Sequence, residues 1–338
     1  MNYRLLGKSG LRVTELSLGT MTFGTEWGWG ADYDTSKAIF EAYAKAGGNF
    51  IDTANRYTEG TAERWVGDFI AADRDHWVLA TKYTLFDRKG DPNFSGNHRK
   101  NLMRSVHESL KRLNTDHIDL LWVHAWDNTT PVEEVMRGLD DLVSQGKVHY
   151  IGISDTPAWI VSHANTLADW RGWSRFVALQ VEYSLIQRTP ERDLLPMAKA
   201  FDLAVTPWAP LAGGALSGKY LKGEKGRVPE NSIRINERNA QIAQVVVSIA
   251  EDLGVSPAQV ALNWLLQKNQ TIIPIVGART AQQMEDSLGC LSFKLSDEAI
   301  TQLSEVSKIE LGFPHDFLAG AQNIIFGETQ RQIQGLGK

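Results

Sequence analysis

Ile118-Asp119-Leu120-Leu121-Trp122-Val123-His124 is an apolar run that stops on an imidazole, and two other runs in the chain are built alike. Asn49-Phe50-Ile51-Asp52 stops on an acid, and Trp77-Val78-Leu79-Ala80-Thr81-Lys82 stops on a base. Tyr57 follows the first of these after a short loop. Short continuous apolar runs read as strands buried on both faces, the kind found in parallel sheets. A buried charge is costly unless it is paired. If the three strands lie side by side, Asp52, Lys82, His124 and Tyr57 meet at one edge of the sheet. An acid, a base, an imidazole and a phenol in one place have the makings of a proton-transfer site.

Outward from these runs, strands and helical patterns alternate along the chain. The strand-like segments are Glu15–Leu18, Asn49–Asp52, Trp77–Thr81, Ile118–Val123, Val148–Ser154, Phe176–Val181, Leu203–Pro207 and Thr271–Ile275. Between them lie amphipathic segments: Thr35–Ala46, Thr61–Ala72, Lys100–Leu113, Val132–Gln145, Pro157–Trp170, Glu191–Phe201, Ser256–Gln267 and Thr280–Leu288. In Lys100–Leu113, Leu102, Val106, Leu110 and Leu113 recur at helical spacing. Pro157 and Pro257 sit where a first-turn proline is tolerated, with Ser256 as an N-cap. Strict alternation of this kind predicts a parallel sheet covered by helices, and eight such units predict one closed (β/α)8 TIM barrel spanning residues 1–338 as a single domain. The first fourteen residues predict a hairpin turning through Gly7-Lys8-Ser9-Gly10. Long loops follow the third strand (Tyr83–His98) and the seventh (Leu211–Asn236). Glu237–Leu253 is an extra helix, another runs near Asp297–Val306, and the tail 311–338 is placed to close the active site. Barrels build their sites from the loops at the C-terminal ends of strands.

Composition narrows the classes. With 338 residues, 43% hydrophobic and 22% charged, the chain can bury a sizeable core. A net charge of −5 argues against nucleic acid or an anionic membrane as partner. Cys290 is the single cysteine, so no intrachain disulfide forms. MNYRLLGKSG has no charged start followed by an apolar core, and no apolar run approaches a bilayer span, so the expected location is the cytoplasm. The histidines show no recognised metal spacing, and no metal is expected. Gly213-Gly214-Ala215-Leu216-Ser217-Gly218-Lys219 nearly spells a phosphate-binding loop. Tyr220 then stands where a Ser or Thr would hold Mg²⁺, so a nucleoside triphosphatase is rejected. No GxGxxG follows the first strand, which leaves a Rossmann site unsupported.

Singly, each of the four residues has a plain structural explanation: a turn carboxylate, a snorkelling lysine, a core histidine, a surface tyrosine. Together they divide a task. A phenol, with an ordinary pKa near 10, donates poorly at neutral pH, and a nearby ammonium is expected to lower that value. Asp52 can hold Lys82, and His124 can orient a carbonyl oxygen toward Tyr57. Such a site protonates an oxygen that is gaining negative charge, as a carbonyl does when it receives hydride. No side chain supplies hydride, so a nicotinamide cofactor is implied.

The chain resembles the aldo-keto reductases, closest to their aryl-alcohol-dehydrogenase-like and potassium-channel β-subunit-like branches. The resemblance rests on Leu18-Gly19-Thr20-Met21-Thr22-Phe23-Gly24, Asp52-Thr53-Ala54-Asn55-Arg56-Tyr57, Thr81-Lys82, Val123-His124, Gly152-Ile153-Ser154 and Ile273-Pro274-Ile275-Val276-Gly277-Ala278-Arg279, spread over nearly the whole chain. It implies Tyr57 as general acid, Lys82 as its partner, Asp52 as the anchor of Lys82 and His124 as the carbonyl-orienting group. It further implies Ser154 and Gln180 as ligands of the nicotinamide carboxamide, and Trp208 as the ring stacked on the nicotinamide. Leu211, Gly213, Ser217 and Lys219 would belong to the loop over the pyrophosphate. Arg279 and Gln283 would lie at the 2′-phosphate and Asp286 near the adenine, and Gly277 would also belong to the cofactor site. A guanidinium suits a phosphate, which favours NADPH over NADH. Asp155 stands where the family's usual asparagine joins the carboxamide contacts, and a carboxylate there can accept but not donate; Ser287 departs from another asparagine, Thr58 from glycine and Ala62 from serine.

The expected reaction is carbonyl reduction or its reverse on a small molecule. The alternative is an NADPH-binding sensor or regulatory subunit; a Schiff-base aldolase using Lys82 is disfavoured by its pairing with Asp52. Trp27, Trp29, Tyr83, Phe86 and Trp126 are the expected pocket walls, and so many aromatics suggest a bulky or flat substrate.

Overall fold

A hairpin opens the chain: β1 (Tyr3–Leu5) and β2 (Arg12–Thr14) pair antiparallel, Tyr3 opposite Thr14. Its turn lies against the floor of the structure, where Lys8 N–H donates to Asp202 O at 2.8 Å. Gly7 has φ +55°, and a Cβ there would stand 2.1 Å from Val177 O, so only glycine passes. The computed structural model describes residues 1–224, 229, 231–268 and 271–333. Parts of the loop after the seventh barrel strand, residues 269–270 before the eighth, and the tail end 334–338 lie outside the described residues.

From there strands and helices alternate as the pattern predicts: β3 (Ser17–Gly19), α1 (Tyr33–Lys45), β4 (Phe50–Asp52), α2 (Thr61–Ile70), β5 (Val78–Tyr83), α3 (Arg99–Leu113), β6 (Ile118–Val123), α4 (Val132–Ser144), β7 (Val148–Ser154), α5 (Ala158–Arg171), β8 (Phe176–Glu182), α6 (Leu194–Ala200) and β9 (Ala204–Trp208). The extra helix α7 (Glu237–Leu253) precedes α8 (Pro257–Leu266), β10 (Ile275–Val276), α9 (Ala281–Leu288) and α10 (Asp297–Val306). The eight strands β3 to β10 form one parallel sheet in the order β10-β3-β4-β5-β6-β7-β8-β9. Ile272 bridges back to Val205 of β9, so the sheet closes into a (β/α)8 barrel. The helices cover it, as the right-handed crossovers of parallel strands require.

Period-two alternation sorts the core into layers. Phe50, Ala80, Leu120, Trp122, Ala178 and Ala204 fill the barrel interior. Leu121, Val123, Ile151, Ile153, Leu179 and Val205 face the helices. Trp122 is the largest plug and lies against Gly152, where a Cβ would come within 2.4 Å of the indole.

Three local expectations are corrected. The eighth strand is not continuous over Thr271–Ile275. Pro274 has no N–H for the ladder, so Ile272 pairs with β9 while Ile275 and Val276 pair with β3. The helix expected over Glu191–Phe201 starts only at Leu194, because the Pro196 ring would clash with the carbonyl of residue 192 in a longer helix. Pro157 serves as the N-cap of α5 rather than its first helical residue, whereas Ser256 caps α8 as expected, accepting from Gln259 N–H at 3.2 Å. No single described helix is long and apolar enough to cross a membrane. In the tail, α11 (His315–Gly320) and α12 (Gln322–Phe326) leave Phe313, Phe317 and Ile324 exposed.

Candidate active site

The interior-facing series of six strands carries a polar or aromatic residue near the C-terminal rim. Phe50 leads to Asp52, Ala80 to Lys82, Trp122 to His124, Gly152 to Ser154, Ala178 to Gln180, and Thr206 to Trp208. Register sets these ends beside one another: Asp52 pairs with Ala80, Lys82 with Trp122, and Ser154 with Gln180. Six strands therefore deliver an inward side chain near their C-terminal ends to one rim.

Lys82 is fully buried and spends all three ammonium donors there. It donates to Asp52 Oδ2 at 2.5 Å, Thr53 O at 2.9 Å and Tyr57 Oη at 3.1 Å. Burial opposes its charge, but Asp52 and Tyr57 more than offset that and hold its pKa above the ordinary lysine value. Lys82 is an ammonium ion at neutral pH. The second oxygen of Asp52 accepts from Gln180 Nε2 at 2.9 Å, so the buried carboxylate is satisfied on both sides.

Tyr57 stands over this pair, its ring 4.7 Å from Lys82 Nζ and edge-on to the His124 imidazole at 6.0 Å between centroids. The expected lowering of its pKa does not appear as a net effect. Burial pushes the phenol above its ordinary range; Lys82 pulls it back, and Asp52 reinforces the rise. Depth outweighs the ammonium, and Tyr57 keeps its proton at neutral pH. His124 goes the other way: burial, then the charge of Lys82, hold its pKa well below the ordinary histidine value. It is a neutral imidazole, and its Nδ1 is buried without a hydrogen-bond partner among the described residues.

A loop wall adjoins the tetrad. Trp27 meets Tyr57 edge-on at 6.4 Å and Trp29 at 5.7 Å, and its Nε1–H donates to Glu59 Oε1 at 3.3 Å. The Arg56 guanidinium lies 4.4 Å over the Phe86 ring. Trp126 is half-buried and packs partly on the layer below. Tyr83 is no wall. It follows inward-facing Lys82 by one residue, so it points to the helix layer, 1% exposed, with Oη donating to Asn97 O at 3.4 Å.

The other rim residues test whether a nicotinamide cofactor fits. Ser154 Oγ is buried with no hydrogen-bond partner among the described residues, a polar group that a polar ligand would satisfy. Trp208 is fixed by its neighbour: its Nε1–H donates to Asp155 Oδ1 at 3.0 Å, and Asp155 sits at φ +42°. After β10, Gly277, Arg279 and Gln283 are exposed, with Gln283 Oε1 accepting from Arg279 N–H at 2.9 Å. Arg279 has no carboxylate partner among the described residues. Gly213 takes φ +69°, Leu211 packs on the core, and Ser217 Oγ donates to Gly214 O at 2.7 Å. Lys219 Nζ lies 6.0 Å from the Tyr220 ring. Asp286 has both oxygens engaged at the start of α8, by Ser256 Oγ at 2.8 Å and Gln259 Nε2 at 3.1 Å. An orphaned hydroxyl, a fixed indole and an unpaired guanidinium along one rim suit an aromatic amide, its ring and a phosphate. The group fits.

What residue reading missed is the neutral amide of Gln180 as the second anchor of Asp52. Its signal was parity with Ala178, not charge.

Residues 15–308 match the aldo/keto reductase family. Norsolorinic acid reductase stcV of Emericella nidulans is 40% identical over 320 residues, covering 92% of this chain and 82% of that protein. Aryl-alcohol dehydrogenase (NADP(+)) of Phanerodontia chrysosporium is 38% identical, over 90% of this chain and 86% of its own length. Aldo-keto reductase ausK of Aspergillus calidoustus is 38% identical, over 94% and 84%. The chain belongs to the aldo/keto reductase family and is an oxidoreductase of carbonyls and alcohols.

Proposed function

We propose that this aldo/keto reductase interconverts an aromatic or otherwise bulky carbonyl compound and its alcohol, using NADPH, with Tyr57 as the proton donor and acceptor. The observation that carries this reading is the 3.1 Å contact between Lys82 Nζ and a protonated Tyr57 Oη, beside a neutral His124. NADPH, when bound, supplies the hydride. Ser154 and Gln180 would hold its carboxamide, Trp208 its nicotinamide ring, and Arg279 its 2′-phosphate. Leu211, Gly213, Ser217 and Lys219 would border the pyrophosphate. The name of the relative from Phanerodontia chrysosporium supports NADP(H), and the exposed guanidinium of Arg279 supports it independently.

In reduction, His124 orients the carbonyl oxygen toward Tyr57 Oη. Charge building on that oxygen draws the phenolic proton, and Lys82 stabilises the phenolate left behind. Asp52, held by Gln180, keeps Lys82 in place through the cycle. In oxidation the phenolate takes the proton back. A Schiff base on Lys82 is disfavoured, because an ammonium with all three donors engaged is no nucleophile. Trp27, Trp29 and Phe86 supply apolar walls, and a relative named for aryl alcohols supports an aromatic substrate.

The test is NADPH consumption with a panel of aryl aldehydes and ketones, run also in reverse with NADP⁺. Tyr57→Phe should cut kcat by roughly 10²- to 10⁴-fold, with NADPH affinity by fluorescence titration little changed. Near-normal kcat in that variant overturns the assignment to Tyr57. Single-turnover oxidation of bound NADPH without catalysis would instead identify a cofactor-binding sensor.

A further inference from the structure

We propose that His117, Asp119 and His149 form a zinc-type divalent cation site at the N-terminal end of the barrel, opposite the Tyr57 rim. Strand geometry assembles it. His117 and Asp119 are two residues apart at the start of β6 and project to one face, the outward face that Leu121 continues. β7 lies in register, Ile118 with Val148 and Leu120 with Tyr150, which sets His149 beside Asp119 on the same face. One ligand atom from each residue falls within 4.8 Å of the others.

Asp119 Oδ1 is 3.7 Å from His149 Nδ1 and 4.0 Å from His117 Nε2. Both distances are too long for hydrogen bonds. They are a few tenths of an ångström beyond the roughly 3.4 Å that separates N and O ligands held about 2.1 Å from a tetrahedral ion. The surroundings already orient two of the three groups. Asp119 Oδ2 is occupied by Arg74 Nη2 at 2.7 Å and Leu79 N–H at 3.0 Å, which turns Oδ1 toward the imidazoles. His117 Nδ1 lies 2.7 Å from Asp116 Oδ1. A carboxylate only accepts, so Nδ1 is the donor toward Asp116, and Nε2 is the ring nitrogen on the Asp119 side. A carboxylate behind a histidine is the arrangement that orients metal-binding imidazoles.

The third ligand must move. The His149 ring is stacked on His117, centroids 4.6 Å apart and planes 22° apart, and two nearly parallel imidazoles cannot aim at one ion. With its side chain 45% exposed, His149 is free to rotate its lone pair inward. Two imidazoles and a carboxylate match zinc and its first-row neighbours, with water completing the shell. Placed on the barrel floor, such an ion ties β6 to β7 and adds stability without entering the reaction.

The experiment uses the full-length protein, freed of metal by chelation and dialysis. Zn²⁺ is titrated by calorimetry, and Co²⁺ is followed by visible absorption. We expect one ion per chain, a Co²⁺ spectrum of low coordination number, and a Zn²⁺-dependent rise in Tm of about 2 °C or more. His149→Ala should weaken Zn²⁺ binding by at least about tenfold while leaving carbonyl reduction unchanged, and His163→Ala, on exposed α5 surface, should change neither. Because His149 is half-exposed, its removal leaves the fold intact, unlike that of Asp119, which also holds Arg74. Absence of stoichiometric binding, or equal affinity in His149→Ala and the parent protein, overturns the proposal.

Discussion

Gln180 donates its side-chain amide to Asp52 Oδ1 at 2.9 Å, taking the carboxylate oxygen that Lys82 leaves open. Both residues are about 2% exposed, so water cannot substitute for a lost partner. Gln180→Leu strands a buried acceptor, and the expected cost is about 1–3 kcal/mol in urea unfolding. Gln180→Glu should cost more, since it sets a second carboxylate against Asp52. Unfolding midpoints equal to the parent's in both variants would show that the contact carries no weight.

The Asp52–Lys82 pair is dry, and breaking it from one side differs from removing it. Lys82→Met leaves Asp52 charged, buried and without its cation, which should destabilise by about 3–5 kcal/mol. Asp52→Asn combined with Lys82→Met removes both charges and should recover a good part of that loss. Strict additivity in the double-mutant cycle would contradict the ion-pair account. The two variants that lack Lys82 should be nearly inactive, because Tyr57 loses the ammonium that stabilises its phenolate.

Ionisable ends on buried strands were conspicuous in the chain because a charge at the end of an apolar run demands an explanation. That demand exposed Asp52, Lys82 and His124, and alternation supplied the barrel that brings them together. Gln180 raises no such alarm, being neutral, so its bond to Asp52 is visible only in space. Tyr83 is an aromatic at the C-terminal end of its strand, but parity with Lys82 turns it to the opposite face, where it is buried. The direction of the Tyr57 pKa depends on the contest between burial and Lys82, and burial depth is a property of packing. His117 and Asp119 are two residues apart in the chain, but His149 joins them only through strand register.

Acid should weaken the fold through His124. Its folded pKa lies well below the ordinary histidine value, so the unfolded chain binds a proton more readily. The stability this residue contributes is present above the unfolded pKa of about 6.5 and is lost as pH falls toward the folded value. The slope has a ceiling of about 1.4 kcal/mol per pH unit for one proton. His124→Gln removes the titration while keeping a polar side chain. Urea unfolding from pH 7 down to about pH 5 should therefore fall less steeply in the variant. Parallel curves for the two proteins would place the acid sensitivity elsewhere.

Arg279 separates two cofactors that differ by one phosphate. It is exposed, and no carboxylate among the described residues competes for its guanidinium. A charge-assisted contact to the 2′-phosphate would contribute about 1.5–3 kcal/mol, so Arg279→Ala should raise KM for NADPH by roughly ten- to a hundredfold. KM for NADH should hardly move, and kcat with either should hold, because Arg279 leaves β10 on a rim loop rather than contacting the tetrad. Steady-state kinetics with both cofactors on one aldehyde decides it. Equal effects on NADPH and NADH would remove the phosphate from the role of Arg279 and leave it as a solvated side chain.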